Sequence, residues 1–159
     1  MSDPGATEMS ASHNAAIVDA VAEGLMVFPS PHSPSETAER MASAVAGLGM
    51  TVVARIDHAA AASRMGLHLR PTLVLIFGNP AAGTPLMEAV PTLAIDLPMK
   101  ALVWRSDAGR TWLACNDPAW MVDRHAIAVR EDGIGEVLEQ MRASLVSAAT
   151  QATGADPSA

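Results

Sequence analysis

The stretch KALVWRSDAGRTWLACN, residues 100–116, decides the fold. Two apolar segments, KALVWRS and RTWLACN, flank Asp107-Ala108-Gly109, a turn sequence ending in glycine of the kind that closes a β-hairpin. A hairpin joins antiparallel neighbours directly, whereas a doubly wound parallel sheet needs a helix in every connection. The rest of the chain alternates short strands with helices, giving the order strand, helix, strand, short helix, strand, helix, hairpin, helix. With the hairpin inside it, that order predicts an α+β domain built as a helical layer on a largely antiparallel sheet.

Upstream, GLMVFPS (residues 24–30) reads as a short strand stopped by Pro29 and Pro31. In SPSETAERMASAVAGLGM (residues 33–50), Ser33 stands as N-cap, Pro34 as first helical residue and Glu36 at the third position. Ala38, Met41, Val45 and Leu48 recur at helical spacing, and Gly49 is placed to end the helix. TVVARID (residues 51–57) alternates as a half-buried strand does, and HAAAASRMG (residues 58–66) supports a helical turn or two. TLVLIF (residues 72–77) is continuously apolar, the pattern of a central strand covered on both sides. Downstream, Asp117 and Pro118 repeat the cap-and-proline signal. Ile134, Val137, Leu138, Met141 and Leu145 mark an amphipathic C-terminal helix. Residues 1–13 are expected as a flexible tail, with a short frayed helix over 14–23. One domain is expected over 14–150 and a disordered tail over 151–159.

The chain has 159 residues, half of them hydrophobic, and only 3% aromatic. The core must therefore come from Ala, Val, Leu, Ile and Met, with the ten methionines read as gap fillers. A net charge of −7 and the absence of any Lys/Arg run argue against nucleic acid and against an anionic membrane surface as partners. The lone Cys115 cannot form an internal disulfide. The N-terminus lacks the pattern of a signal peptide and no apolar run approaches the ~20 residues of a spanning helix, so a cytoplasmic location is expected.

The segment FGNPAAGTPLMEAVP (residues 77–91) is the richest candidate for chemistry. Gly78 and Asn79-Pro80 turn the chain off a strand, and Thr84-Pro85 reads as N-cap plus first-turn proline. The Leu86 and Met87 amides would then stand free as an anion site. The same residues also suit a plain connection capped by Thr84, and both readings stay open. Asp96 and Lys100 bracket Pro98, either as a surface ion pair or with Lys100 joining the anion site. His13 and His32 are read as solvated. His58, beside Asp57, and His125, after Arg124, stand at element ends and have no local zinc spacing. Trp120 and Arg124 form an i,i+4 stacking pair, and Cys115 reads as a small buried residue.

In order along the chain, the motifs IDHAA, FGNP..GT.LM, IDLP.K, W....G..W, NDP and RH resemble the domain-of-unknown-function family 302 (DUF302) from about residue 24 to 127. The resemblance implies a curved antiparallel sheet carrying helices, similar to the TATA-binding-protein architecture, and a homodimer. It brings no established activity, cofactor or catalytic residue. It places His58, Asn79, Gly83, Thr84, Asp96, Lys100, Asn116, Asp117 and His125 on family motif positions, while Cys115 stands where an aromatic residue is expected.

These features predict a non-catalytic module for a small anion or carboxylated metabolite, with His58, Asn79, Gly83, Thr84, Asp96, Lys100 and His125 as ligand-binding candidates. The sequence leaves the cofactor open. The alternatives are a small enzyme using His58 or His125 as general acid/base beside Asp57 or Asp123, a dimerising interaction domain, and a metal or haem binder.

Overall fold

The computed structural model describes residues 22–127 and 133–155. The expected tail over 1–13, including His13, lies outside the described residues, as does most of the helix expected over 14–23. Strands β1 (Leu25–Ser30), β2 (Thr51–Asp57), β3 (Thr72–Gly78), β4 (Met99–Arg105) and β5 (Thr111–Asn116) form one sheet in the order β1-β5-β4-β3-β2. Every neighbouring pair is antiparallel. The helices are α1 (Pro34–Gly47), α2 (His58–Arg64), α3 (Pro80–Ala89), α4 (Pro118–Arg124) and α5 (Ile134–Thr153), with a 3-10 turn over Pro91–Ile95. The expected α+β fold with a C-terminal helix is thus present.

Local chemistry accounts for the element starts and turns. Ser33 Oγ accepts from the Glu36 amide at 3.2 Å, completing the cap of α1. In the decisive hairpin, the Ser106 amide donates to Arg110 O at 2.8 Å and the Gly109 amide to Ser106 O at 2.9 Å. Gly109, at φ +77°, supplies the left-handed residue that such a three-residue loop requires.

The core lies between α1, α5 and one face of the sheet. That face carries Met26, Phe28, Leu75, Phe77, Met99, Ala101, Val103, Leu113 and Cys115. Ala38, Met41, Ala42 and Val45 of α1 and Leu138, Leu145, Ala148, Ala149 and Ala152 of α5 close over it. The alanines let the two helices approach closely, which is how a core poor in aromatics is filled. Arg40 of α1 donates from Nε to Ala152 O at 2.9 Å and from Nη2 to Gln151 O at 3.3 Å, satisfying carbonyls at the end of α5 that have no helical partner. Residues 151–153 therefore belong to the helix, correcting the tail boundary at 151; Ala152 and Thr153 are buried. A second correction concerns TLVLIF: Leu75 and Phe77 are buried, but Val74 and Ile76 on the opposite face are only half-buried.

At the β1 entry, the Asp117 amide donates to Gly24 O at 2.7 Å. Gly24 has φ +81°, and a Cβ there would lie 2.4 Å from Trp120 Cδ2. Backbone strain and collision with the indole act together, so Gly24→Ala is expected to cost about 2–3 kcal/mol. The check is a denaturant titration, in which a midpoint within error of the parent protein would contradict this packing.

Candidate functional site

The motif segment that followed β3 in the sequence is a helix, not a loop. Asn79 is its N-cap, with Oδ1 accepting from the Ala81 amide at 2.9 Å, and α3 runs through Gly83, Thr84 and Pro85 to Ala89. Asn79-Pro80 and Thr84-Pro85 carry the same cap-and-proline signal, and the first one starts the helix. Pro85 falls inside the helix, where it forgoes one backbone hydrogen bond. The expected anion site at the Leu86 and Met87 amides is thereby corrected, because those amides lie within the helix.

The segment nevertheless borders a cavity of about 530 Å³. Its walls are the start of α3 (Asn79, Ala82, Gly83, Thr84, Met87), Leu97-Pro98-Met99 at the entry to β4, Met50 just before β2 and Val53 within it, and Val137, Gln140, Met141 and Ser144 of α5. Four methionines, Met50, Met87, Met99 and Met141, line it. Unbranched thioethers reshape readily around a guest. Asn79, Thr84, Gln140 and Ser144 add polar groups, and no charged side chain among the described residues lines it. Gly83 leaves room at the wall: a Cβ there would meet only Met87 Cε at 3.9 Å and Leu97 Cδ1 at 4.0 Å.

Of the sequence candidates, Asn79, Gly83 and Thr84 come together at this cavity. Asp96 and His125 form a separate cluster. His125 Nε2 lies 2.6 Å from Asp96 Oδ2, and Nδ1 lies 2.8 Å from Thr92 Oγ1. Arg124 Nη1 donates to Asp96 Oδ1 at 3.2 Å, and its guanidinium stacks 5.1 Å above the Trp120 ring, as the i,i+4 spacing implied. The His125 and Asp96 side chains are 5% and 8% exposed. The cluster fastens the end of α4 to the 3-10 turn, immediately before the cavity wall at Leu97 and Pro98. The expected Asp96–Lys100 surface pair is thus corrected: Asp96 is buried against His125, and Lys100 Nζ donates to Pro98 O at 3.3 Å.

His58 stands apart. It is exposed at the start of α2, and neighbouring Asp57 caps that helix by accepting from the Ala60 amide at 2.8 Å. Asp57 sits opposite Leu73, at one end of β3. Asp96, held by His125, comes just before Met99, which sits opposite Phe77 at the other end. Leu73 and Phe77 are about 13 Å apart along the strand, so the two imidazoles do not converge. Both ring nitrogens of His125 are engaged, and neither histidine lines the cavity. His32 is not free in solvent, since its Nδ1 lies 3.0 Å from Glu36 Oε1. Among the described residues, no group of three or more His, Cys, Asp or Glu could hold a metal ion. The cavity methionines were missed because they come from separate elements, with no local spacing to mark them.

Cys115 is 1% exposed, and burial pushes its thiol up to about 12. The reactive thiolate is scarce at neutral pH. In native protein it is expected to resist maleimide and to label fully once unfolded; rapid native labelling would contradict its burial. For the clamp, Asp96→Ala leaves the imidazole and guanidinium without their shared acceptor and is expected to cost about 2–3 kcal/mol. A denaturation midpoint unchanged by Asp96→Ala would contradict its structural role.

A family model described as "Domain of unknown function DUF302" matches residues 26–152. A protein of Brucella suis biovar 1 (strain 1330) named "Fluoride-specific ion channel FluC 1" is 45% identical over 118 residues, spanning 74% of this chain and 45% of that protein. The protein of the same name from Brucella abortus biovar 1 (strain 9-941) is also 45% identical over 118 residues, 43% of its length. The chain therefore spans less than half the length of these curated relatives. Among solved structures, the crystal structure of the uncharacterized conserved protein DUF302 from Bacillus stearothermophilus superposes with a TM-score of 0.70 at 17% identity, covering 82% of this chain and 99% of that one.

Proposed function

Because the chain belongs to the DUF302 family, whose description assigns no activity, we propose from its geometry that it is a non-catalytic module binding a small, largely apolar, uncharged molecule. The observation that carries this reading is the cavity of about 530 Å³ lined by four methionines. Its size is that of small-molecule sites, which are mostly apolar with a few polar groups to orient the guest. Asn79, Thr84, Gln140 and Ser144 are placed for that orienting role. An anionic or carboxylated ligand is the weaker choice, since a desolvated charge would find no cation among the described lining residues.

The Brucella relatives are named as fluoride channels. Among the described residues here, no helix is long and apolar enough to cross a membrane. We read the matched region as a module that sits beside a channel in those proteins, and we assign no conduction to it. Fluoride is strongly hydrated, and no cation among the described lining residues offsets its desolvation, so it suits this cavity less well than an apolar guest.

The test uses N-phenyl-1-naphthylamine, a neutral dye whose fluorescence rises in apolar sites. Saturable enhancement is expected, unaffected by sodium fluoride. Gly83→Leu fills the cavity from its wall and is expected to weaken dye binding by at least about tenfold. Melting temperature should hold or rise, because removing a helical glycine favours the helix by about 1 kcal/mol. Equal enhancement in parent and Gly83→Leu proteins would sink the proposal.

A further inference from the structure

Four of the chain's ten methionines, Met50, Met87, Met99 and Met141, line the cavity beside α3. They come from four places in the sequence, and the fold brings them to one end of the sheet. Thr51 sits opposite Gly78 and Met99 opposite Phe77, so Met50 and Met99 flank the end of β3 from its two sides. The strands that carry them there are two spacings apart, about 10 Å. Met87 reaches the same place from α3. A Cβ on Gly83 would lie 3.9 Å from Met87 Cε and 4.0 Å from Leu97 Cδ1, two residues before Met99. Met141 adds the α5 wall. None of the four residues is exposed, whereas Met65 is 78% exposed.

We propose that these four thioethers form a site for a soft monovalent d10 cation of the copper(I) class. The inference rests on the reading of this cavity as a binding site and gives it an inorganic ligand. Donor chemistry selects the ion. Besides sulfur, the wall offers neutral groups such as those of Asn79 and Gln140, with no carboxylate, imidazole or thiolate among the described lining residues. Magnesium and calcium need oxygen ligands that include carboxylates, and zinc needs thiolate, imidazole or carboxylate. Thioethers are soft ligands and select copper(I). Copper(I) and silver(I) hold water weakly, so several polarisable sulfurs can replace their hydration where a small hard ion would stay in water. Three rotatable bonds let each methionine turn its sulfur toward a common centre. The chain's net charge of −7 favours the approach of a cation. Binding forms metal–sulfur bonds alone, and no electron or proton moves.

Silver(I) nitrate in chloride-free buffer is the redox-inert probe, added to the full chain labelled with carbon-13 at the methionine methyls. The methyls of Met50, Met87, Met99 and Met141 are expected to shift together and saturate near one equivalent, with that of Met65 unmoved. The Cys115→Ala protein, which has no thiol to take up metal, should respond in the same way. Met50→Leu/Met87→Leu keeps the apolar volume and should weaken silver binding by at least about tenfold, while N-phenyl-1-naphthylamine still binds. Met141→Leu makes the same test if circular dichroism shows the double variant unfolded. Absence of silver-induced shifts in the four methyls overturns the inference, and saturable dye binding in that sample leaves the apolar-guest reading standing. Silver shifts without dye binding uphold the inference and remove the apolar guest. Equal shifts with zinc sulfate, or silver affinity unchanged in the folded leucine variants, also overturn it, because the sulfurs are then not the ligands.

Discussion

The fold rests on the close approach of α1 and α5 to one face of a sheet whose strands are apolar on both. With few aromatics available, the helices bury their area through alanine, leucine and methionine. Small side chains permit the short approach that makes this effective. Arg40 seals the arrangement by taking up the last carbonyls of α5. Near the middle of α5, Arg142 Nε donates to Asp117 Oδ1 at 2.9 Å, tying the helix to the cap of α4. The terminal helix is thus both the lid of the core and one wall of the cavity.

Cavity and buried polar cluster divide the family motif residues between two jobs. Asn79, Gly83 and Thr84 border the open space. Asp96, Arg124, His125 and Thr92 fix the turn that delivers Leu97 and Pro98 to its wall. A charge-assisted cluster held this firmly gives a flexible methionine lining something rigid to work against. Binding adaptability then resides in the side chains while the backbone stays in place.

Elements governed by neighbours in sequence were legible from it. The Ser33-Pro34-Glu36 cap, the Gly109 hairpin turn and the Trp120–Arg124 stack each depend on residues within four positions of one another. The start of α3 was misread for a reason within that same range: two cap-and-proline signals stand five residues apart, and local chemistry does not rank them. Asp96 was assigned to nearby Lys100, yet its partner is His125, brought to it by the fold. The methionine lining was invisible for the same reason, since Met50, Met87, Met99 and Met141 meet only after the sheet and both long helices assemble. The unbroken apolar run in β3 was read as covered on both sides. The single chain covers only one.

The account stands or falls on whether the methionine-lined space takes up an apolar guest. The most direct measurement labels the methionine methyls with carbon-13 and follows them by NMR during titration with N-phenyl-1-naphthylamine. The methyls of Met50, Met87, Met99 and Met141 are expected to shift together and saturate, while those of core Met41 and exposed Met65 stay in place. No shift at dye saturation, or shifts led by Met65 with the four lining methyls unmoved, would contradict it.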